Sequence, residues 1–257
     1  MYLIGDIGNT EIKICLINKK KKIVKRIYFT SKNISSVKIK NKLNILDQYY
    51  PNIEKILFCS VVPKIFRLFK NFLKTKIKKR CFEIKKLNLS NLLKIKVNYK
   101  QVGSDRITNS ICLAKNKQNF IIIDLGTATT FDVLIGKSYI GGIIAPGIKI
   151  SLNTLSDRAT LIPKINLKKI KKVIGIDTKS AVRSGFFWGY AGLIDNIVNL
   201  IRKETKKSFK VVITGGFSNL IKNPIRTKII EDKDITIKGL IKILELIKWV
   251  KNYFFAH

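Results

Sequence analysis

Short apolar runs of alternating pattern open the chain. Tyr2 to Ile4, Ile12 to Ile17 and Ile23 to Phe29 are β-rich segments divided by polar or lysine-rich tips, a pattern that predicts an antiparallel meander. Ile34 to Tyr50 has helical spacing of apolar residues, Ile56 to Cys59 reads as a strand, and Pro63 to Ile77 is again helical. Phe120 to Asp124 and Phe131 to Ile135 then repeat the strand, polar turn, strand pattern of the N-terminus. A long apolar helix is predicted from an Asp177 N-cap to about Lys203, with Gly185, Gly189 and Gly192 allowing close packing. Val211 to Ile213 is a buried strand ending in Thr-Gly-Gly, and Leu240 to Val250 is an amphipathic closing helix.

The repeat organises this pattern. Two stretches that each open with an Asp-Gly hairpin predict a duplicated α/β unit, each copy a mixed sheet with flanking helices and a cleft between them. No linker rich in Pro, Gly or Ser separates the copies. The repeat alone places the boundary near residues 115 to 119, giving lobes 1–117 and 118–257.

Composition narrows the classes of function. With 257 residues and 46% hydrophobic positions the chain can bury a large core. A formal net charge of +35 would attract polyanions. The charge comes from 43 Lys against 8 Arg, scattered along the chain, whereas arginine dominates bidentate phosphate and base recognition. Nucleic-acid binding as the main function is therefore disfavoured, and the lysines read as compositional drift. Cys15, Cys59, Cys81 and Cys112 are far apart and fit reduced thiols of a cytoplasmic protein. The single histidine is His257, which argues against Ser/His/Asp or Cys/His catalysis and a histidine-rich metal centre. The N-terminus lacks the basic region of a signal peptide, and no apolar stretch is long enough to predict a membrane span.

A phosphate chain needs backbone N–H donors, small side chains that permit approach, and a carboxylate for the accompanying cation. The Asp6-Ile7-Gly8-Asn9-Thr10 stretch supplies Gly8, two polar side chains and Asp6 at a strand end. The stretch from Asp124 to Thr130 supplies Gly126, Thr127, Thr129 and Thr130, with Asp124 in the same place. Either alone reads as a plain hairpin, but two copies in matching contexts favour phosphate binding. No P-loop and no dinucleotide glycine fingerprint is present. In the segment Val102 to Ile111, Ser104 or Asp105 could simply cap a helix. Alternatively, Asp105 is an acid or base beside Arg106, a cationic anchor for an anionic substrate.

Taken in order, DIGNT, GSDR, DLGTATTFD, GGIIAPG, DTKSAVRSG and ITGG, together with CSVVP and ITIKGL, resemble the type III pantothenate kinases. The resemblance runs from Asp6 to about Leu240. It implies two ribonuclease H-like lobes of the actin-like ATPase kind and phosphorylation of pantothenate by ATP. It implies that Asp6 to Lys13 (Asp6, Ile7, Gly8, Asn9, Thr10, Glu11, Ile12 and Lys13) is the first ATP phosphate loop, with Asp6 near the Mg²⁺ carried by ATP. By the same resemblance Asp105 is the general base within a pantothenate-binding segment of Gly103, Ser104, Asp105 and Arg106. Thr178 and Tyr99 also match pantothenate contacts, Asp124 matches the ligand of a monovalent cation (K⁺ or NH₄⁺), and Thr127 matches an ATP contact. Gly215 and Gly216 fall where the superfamily approaches adenosine. The chain departs from the family pattern in one place, where only Lys100, Gln101 and Val102 separate Tyr99 from Gly103. A homodimer is implied too, with the glycine-rich helix as one candidate surface. Another small-molecule kinase of the superfamily, or a nucleic-acid-binding regulator on the same fold, is the alternative function.

Overall fold

The computed structural model describes residues 1–246. The chain forms two compact units. The first opens with β1 (Tyr2–Ile7), β2 (Glu11–Ile17) and β3 (Ile23–Thr30), the antiparallel meander expected from the alternating pattern. Helix α1 (Ser36–Leu43) leads through a 3₁₀ run, Asn44–Asn52, into β4 (Lys55–Ser60), which lies parallel to β1. The single helix expected from Ile34 to Tyr50 is thus shorter, giving way to 3₁₀ geometry from Asn44 onward. Helix α2 (Pro63–Ile77) begins on a proline, whose missing N–H is harmless in a first turn, and buries Ile65, Phe69, Leu73 and Ile77 at four-residue spacing. These side chains, with Ile39 and Leu43 of α1, cover Leu3, Ile7, Ile14 and Phe58 on one sheet face. Strand β5 (Cys81–Glu83) completes the order β3-β2-β1-β4-β5.

After β6 (Lys94–Ile95) and a 3₁₀ turn at Tyr99–Gln101 comes α3 (Ser104–Leu113). The second unit then repeats the first with β7 (Asn119–Leu125), β8 (Ala128–Ile135) and β9 (Ser138–Pro146). Helices α4 (Ile148–Arg158) and α5 (Thr178–Thr205) precede β10 (Lys210–Thr214), α6 (Ser218–Ile221) and β11 (Ile229–Glu231). Its sheet order is β11-β10-β7-β8-β9-β6. Strand β8 is antiparallel to both β7 and β9, whereas β10 and β11 run parallel beside β7. Each unit therefore has the ribonuclease H-like arrangement of a three-strand meander with two parallel strands added beside its first strand. Asp177 caps α5 reciprocally with Ser180, as its position predicts. The glycines of α5 differ from expectation: a Cβ at Gly185, Gly189 or Gly192 would meet open space.

Helix α7 (Ile235–Leu246) marks a second departure. The expected division at 117/118 assigns it to the second lobe, but its residues Thr236 to Leu246 group with Met1–Lys94 and Lys100–Cys112. The second unit comprises Ile95–Tyr99 and Leu113–Ile235. The reason is local packing on α3. Gly239 has no side chain and sits against the Thr108 carbonyl, Thr236 Oγ1 donates to Asn109 Oδ1 at 2.8 Å, and Lys242 Nζ donates to the Cys112 carbonyl at 3.2 Å. Positions 247–250 of the expected closing helix, and His257, lie outside the described residues.

Candidate active site

In the first unit the β1–β2 tip is held from outside. Gly8 N–H donates to the Glu11 carbonyl at 3.0 Å, Ser31 Oγ donates to the Gly8 carbonyl at 2.6 Å, and Ser31 N–H donates to the Thr10 carbonyl at 2.9 Å. Asn9, Thr10 and Glu11 are exposed at the tip, where a ligand can reach them. Ile7 and Ile12 are fully buried in the core, which leaves only their backbone for any phosphate contact. Asp6 is partly buried, opposite Lys13 across the β1–β2 ladder. Burial pushes its carboxyl up to about 7; Lys13 pulls it down, and the nearby Asp105 and Glu11 push it further up. Lys13 itself pairs with Glu11 at 3.5 Å.

The N-terminus of α3 meets this end of the sheet. Asp105 Oδ1 accepts the Arg106 N–H at 2.8 Å, and a Cβ at Gly103 would overlap that oxygen. The glycine is therefore required for the carboxylate to fold back over the helix start. Burial raises the Asp105 carboxyl, opposed by the Arg106 N–H and guanidinium. Ser104 does not cap the helix: it is only 2% exposed, and its hydroxyl donates to Glu83 Oε1 at 2.7 Å. Thr108 Oγ1 donates to the Ser104 carbonyl at 2.8 Å and also lies in hydrogen-bond reach of Cys59, the register partner of Asp6 on β4. Burial, with Asp6 and Asp105 close by, holds the Cys59 thiol well above its usual range. One short path therefore links Asp6, Cys59, Thr108, Ser104 and Glu83 around Asp105. Local sequence offers no sign of Thr108 or Glu83, and it marks Cys59 only as part of the CSVVP motif.

In the second unit Asp124 occupies the place on β7 that Asp6 has on β1, one residue before the strand end. Gly126 N–H donates to the Ala128 carbonyl at 3.1 Å, closing a turn that leaves Thr127 exposed. Thr129 belongs to β8, is 0% exposed, and its hydroxyl has no partner in the structure, so it is not an open phosphate donor. Two further loops converge on the turn. Gly147 abuts the Thr127 carbonyl, and Gly215 abuts Asp124 and Leu125, with Gly216 exposed beside it. Gly215 has φ +92°, and a Cβ there would sit 2.6 Å from the Leu125 backbone nitrogen. Gly215→Ala is expected to destabilise the protein by about 2 kcal/mol through left-handed backbone and overlap, lowering Tm by about 4–8 °C in a thermal melt.

Thr178 is exposed in the first turn of α5. Tyr99 is partly buried and groups with the second unit, whereas Gly103 to Arg106 belong to the first. Thus Asp124, Thr127, Gly215 and Gly216 are brought together, as are Asp6, the β1–β2 tip and Asp105.

Comparison with known proteins agrees with this layout. A family model described as type III pantothenate kinase matches residues 2–200. A type III pantothenate kinase of Pelagibacter ubique is 61% identical over 248 residues, covering 96% of this chain and 100% of that protein. One from Dehalococcoides mccartyi is 33% identical over 242 residues, covering 91% of this chain and 93% of that protein. Among solved structures, a Sinorhizobium meliloti protein described as a 2-dehydro-3-deoxygalactonokinase covers 100% of both chains at TM-score 0.58 and 10% identity. A Campylobacter jejuni protein described as a Baf family transcriptional activator covers 94% of this chain and 96% of its own at TM-score 0.57 and 21% identity. These two likenesses establish the fold, and the sequence matches establish the kinship: the chain belongs to the type III pantothenate kinase family.

Proposed function

We propose that the chain transfers the γ-phosphoryl group of ATP to the primary hydroxyl of pantothenate, the first step of coenzyme A biosynthesis. The observation that carries this reading is the raised carboxyl of Asp105, held beside Arg106 and in the electrostatic reach of Asp6 at the tip-bearing end of β1. Phosphoryl transfer asks mostly for positioning and charge stabilisation, so a few fixed groups suffice.

Asp105 accepts the hydroxyl proton, its pKa lifted toward the working pH by burial. Arg106 offers a guanidinium to the substrate carboxylate, with Gly103 beside it; Tyr99 and Thr178 are assigned to pantothenate by their match to the family pattern. Ser104 contributes through its backbone, since its hydroxyl is engaged by Glu83. In the first unit the exposed tip Asn9 to Glu11, with Gly8 leaving room for approach and Lys13 behind it, offers donors to phosphate; in the second unit exposed Thr127 offers its hydroxyl, and Gly215 and Gly216 leave room for adenosine.

The carboxylates fit the cations that such a reaction uses. No cluster of three metal-ligating His, Cys, Asp or Glu side chains exists among the described residues. One incompletely compensated carboxylate, Asp6, suits Mg²⁺, which is commonly held by one or two carboxylates together with substrate phosphates. Asp124, surrounded by the backbone of Gly126 and Gly215, suits K⁺ or NH₄⁺. Bound there, the two cations would offset phosphate charge.

A homodimer is part of the same proposal. The open glycine face of α5 permits close approach of a second helix. Beside its first turns Val173, Ile174 and Ile176 are exposed, in a segment tied to α5 by Ser184 Oγ donating to the Val173 carbonyl. We place the enzyme in the cytoplasm, where reduced thiols persist; none of the four cysteines is in a disulfide. Among the described residues no helix is long and apolar enough to cross a membrane.

ATP consumption measured with and without pantothenate, each with and without K⁺, tests the proposal. Turnover is expected to require pantothenate and to rise with K⁺. Turnover that ignores pantothenate, or that runs as well on acetate or a hexose, would overturn it in favour of another kinase of the superfamily.

A further inference from the structure

Glu83 is a carboxylate at this end of the first unit that neither the phosphate loop nor the base assignment uses. It ends β5, is partly buried, and makes two hydrogen bonds. Oε1 accepts the Ser104 hydroxyl at 2.7 Å, and Oε2 accepts the Lys85 N–H at 3.0 Å, which fixes the 3₁₀ turn Ile84–Lys86 behind it. The carboxylate is thus anchored to the sheet on one side and to the first residue of α3 on the other.

Ser104 is anchored equally firmly. Its carbonyl accepts Thr108 Oγ1, its side chain is 2% exposed, and its hydroxyl proton is committed to Glu83. Asp105 follows it directly, with its carboxylate folded onto the same turn through the Arg106 N–H. Any rotation or translation of Ser104 would therefore move the Asp105 carboxylate with it. The same turn is closed by the Ile107 N–H donating to the Gly103 carbonyl at 3.1 Å, so the Glu83 contact ties an already formed turn to β5.

We propose that Glu83 and Ser104 form a positioning latch that fixes the first turn of α3, and through it the orientation of the Asp105 carboxylate toward the acceptor hydroxyl. The proposal rests on the reading of Asp105 as the base. It assigns Ser104 a role different from a substrate contact, and it makes Glu83 a positioning residue that never touches substrate. A displacement of about 1 Å at a reacting group is enough to cost about 10²-fold in rate.

The test combines Glu83→Ala, Glu83→Gln, Ser104→Ala and the Glu83→Ala/Ser104→Ala double variant, with kcat, KM for both substrates, and hydrogen exchange at the Arg106 and Ile107 amides. Glu83→Ala and Ser104→Ala are each expected to lower kcat by about 10- to 100-fold, with KM for ATP nearly unchanged. The double variant is expected to lose no more than either single one, because the two side chains act as one unit. Glu83→Gln keeps an oxygen acceptor for the Ser104 hydroxyl and is expected to return kcat to within about threefold of the parent and to restore the slow amide exchange that Glu83→Ala loses. Multiplicative losses, or a lowered Tm with kcat intact, would overturn the latch. If the parent protein shows no pantothenate-dependent turnover, the proposed function fails. Amide exchange then still decides the latch: Arg106 and Ile107 exchange that is equally slow in the parent and Glu83→Ala rejects it.

Discussion

Replacing Asp105 by Asn is expected to lower kcat by about 10²- to 10⁴-fold while leaving ATP-analogue affinity within a few-fold of the parent. The substitution is nearly isosteric. The Asn side-chain carbonyl can still accept the Arg106 N–H, so the turn that starts α3 keeps its geometry and the loss reports proton acceptance. The pH profile separates the two causes further. Burial raises the carboxyl of Asp105, so the parent rate climbs as that group ionises, and the residual rate of the variant lacks this rise. Steady-state kinetics across pH, with a thermal melt of each protein, make the measurement. A kcat near that of the parent would remove Asp105 from the role of base.

Asp6→Asn is expected to act in opposite directions on activity and stability. The folded-state carboxyl is raised from 3.8 to about 7, chiefly by desolvation. A group raised on folding is neutral in both states at low pH. As pH climbs from about 3.8 to 7 the unfolded chain releases its proton first, and the folded state is progressively disfavoured. At about 1.4 kcal/mol for each unit, the cost reaches about 4 kcal/mol above neutrality. The neutral asparagine escapes that cost. Chemical denaturation without nucleotide should therefore find Asp6→Asn more stable than the parent by up to about 4 kcal/mol at pH 8, with the gap closing toward pH 4. Turnover should be nearly abolished, and MgATP should stabilise the parent more than the variant. Equal stability of the two proteins at pH 8 would show that the carboxylate is well solvated or already compensated.

What could be read from the sequence was decided by how local each signal is. The β1–β2 and β7–β8 hairpins were legible because alternation and turn residues act within a few positions, and the placement of Asp6 and Asp124 followed. The extent of the second turn was misread: Thr129 and Thr130 look like loop residues, yet β-branched side chains also suit a strand, and both belong to β8. The direction taken by α7 was not legible, because an amphipathic pattern reveals an apolar face without saying which sheet it covers. The deciding contacts, Gly239 on Thr108 and Thr236 on Asn109, join positions more than a hundred residues apart. Glu83 stayed hidden for a similar reason. A three-residue strand carries too little alternation to place its last side chain, and the Ser104 partner lies beyond a 3₁₀ turn and β6.

The return of α7 to the first unit has a consequence for synthesis. All of Leu113–Ile235 leaves the ribosome before the helix that covers α3 exists. At about 5–20 residues per second, the base-bearing helix waits on the order of ten seconds with its buried Thr108 and Asn109 still unprotected. Vectorial folding is thereby inverted: the unit begun first receives its last helix, α7, only after the whole of the second unit has been made.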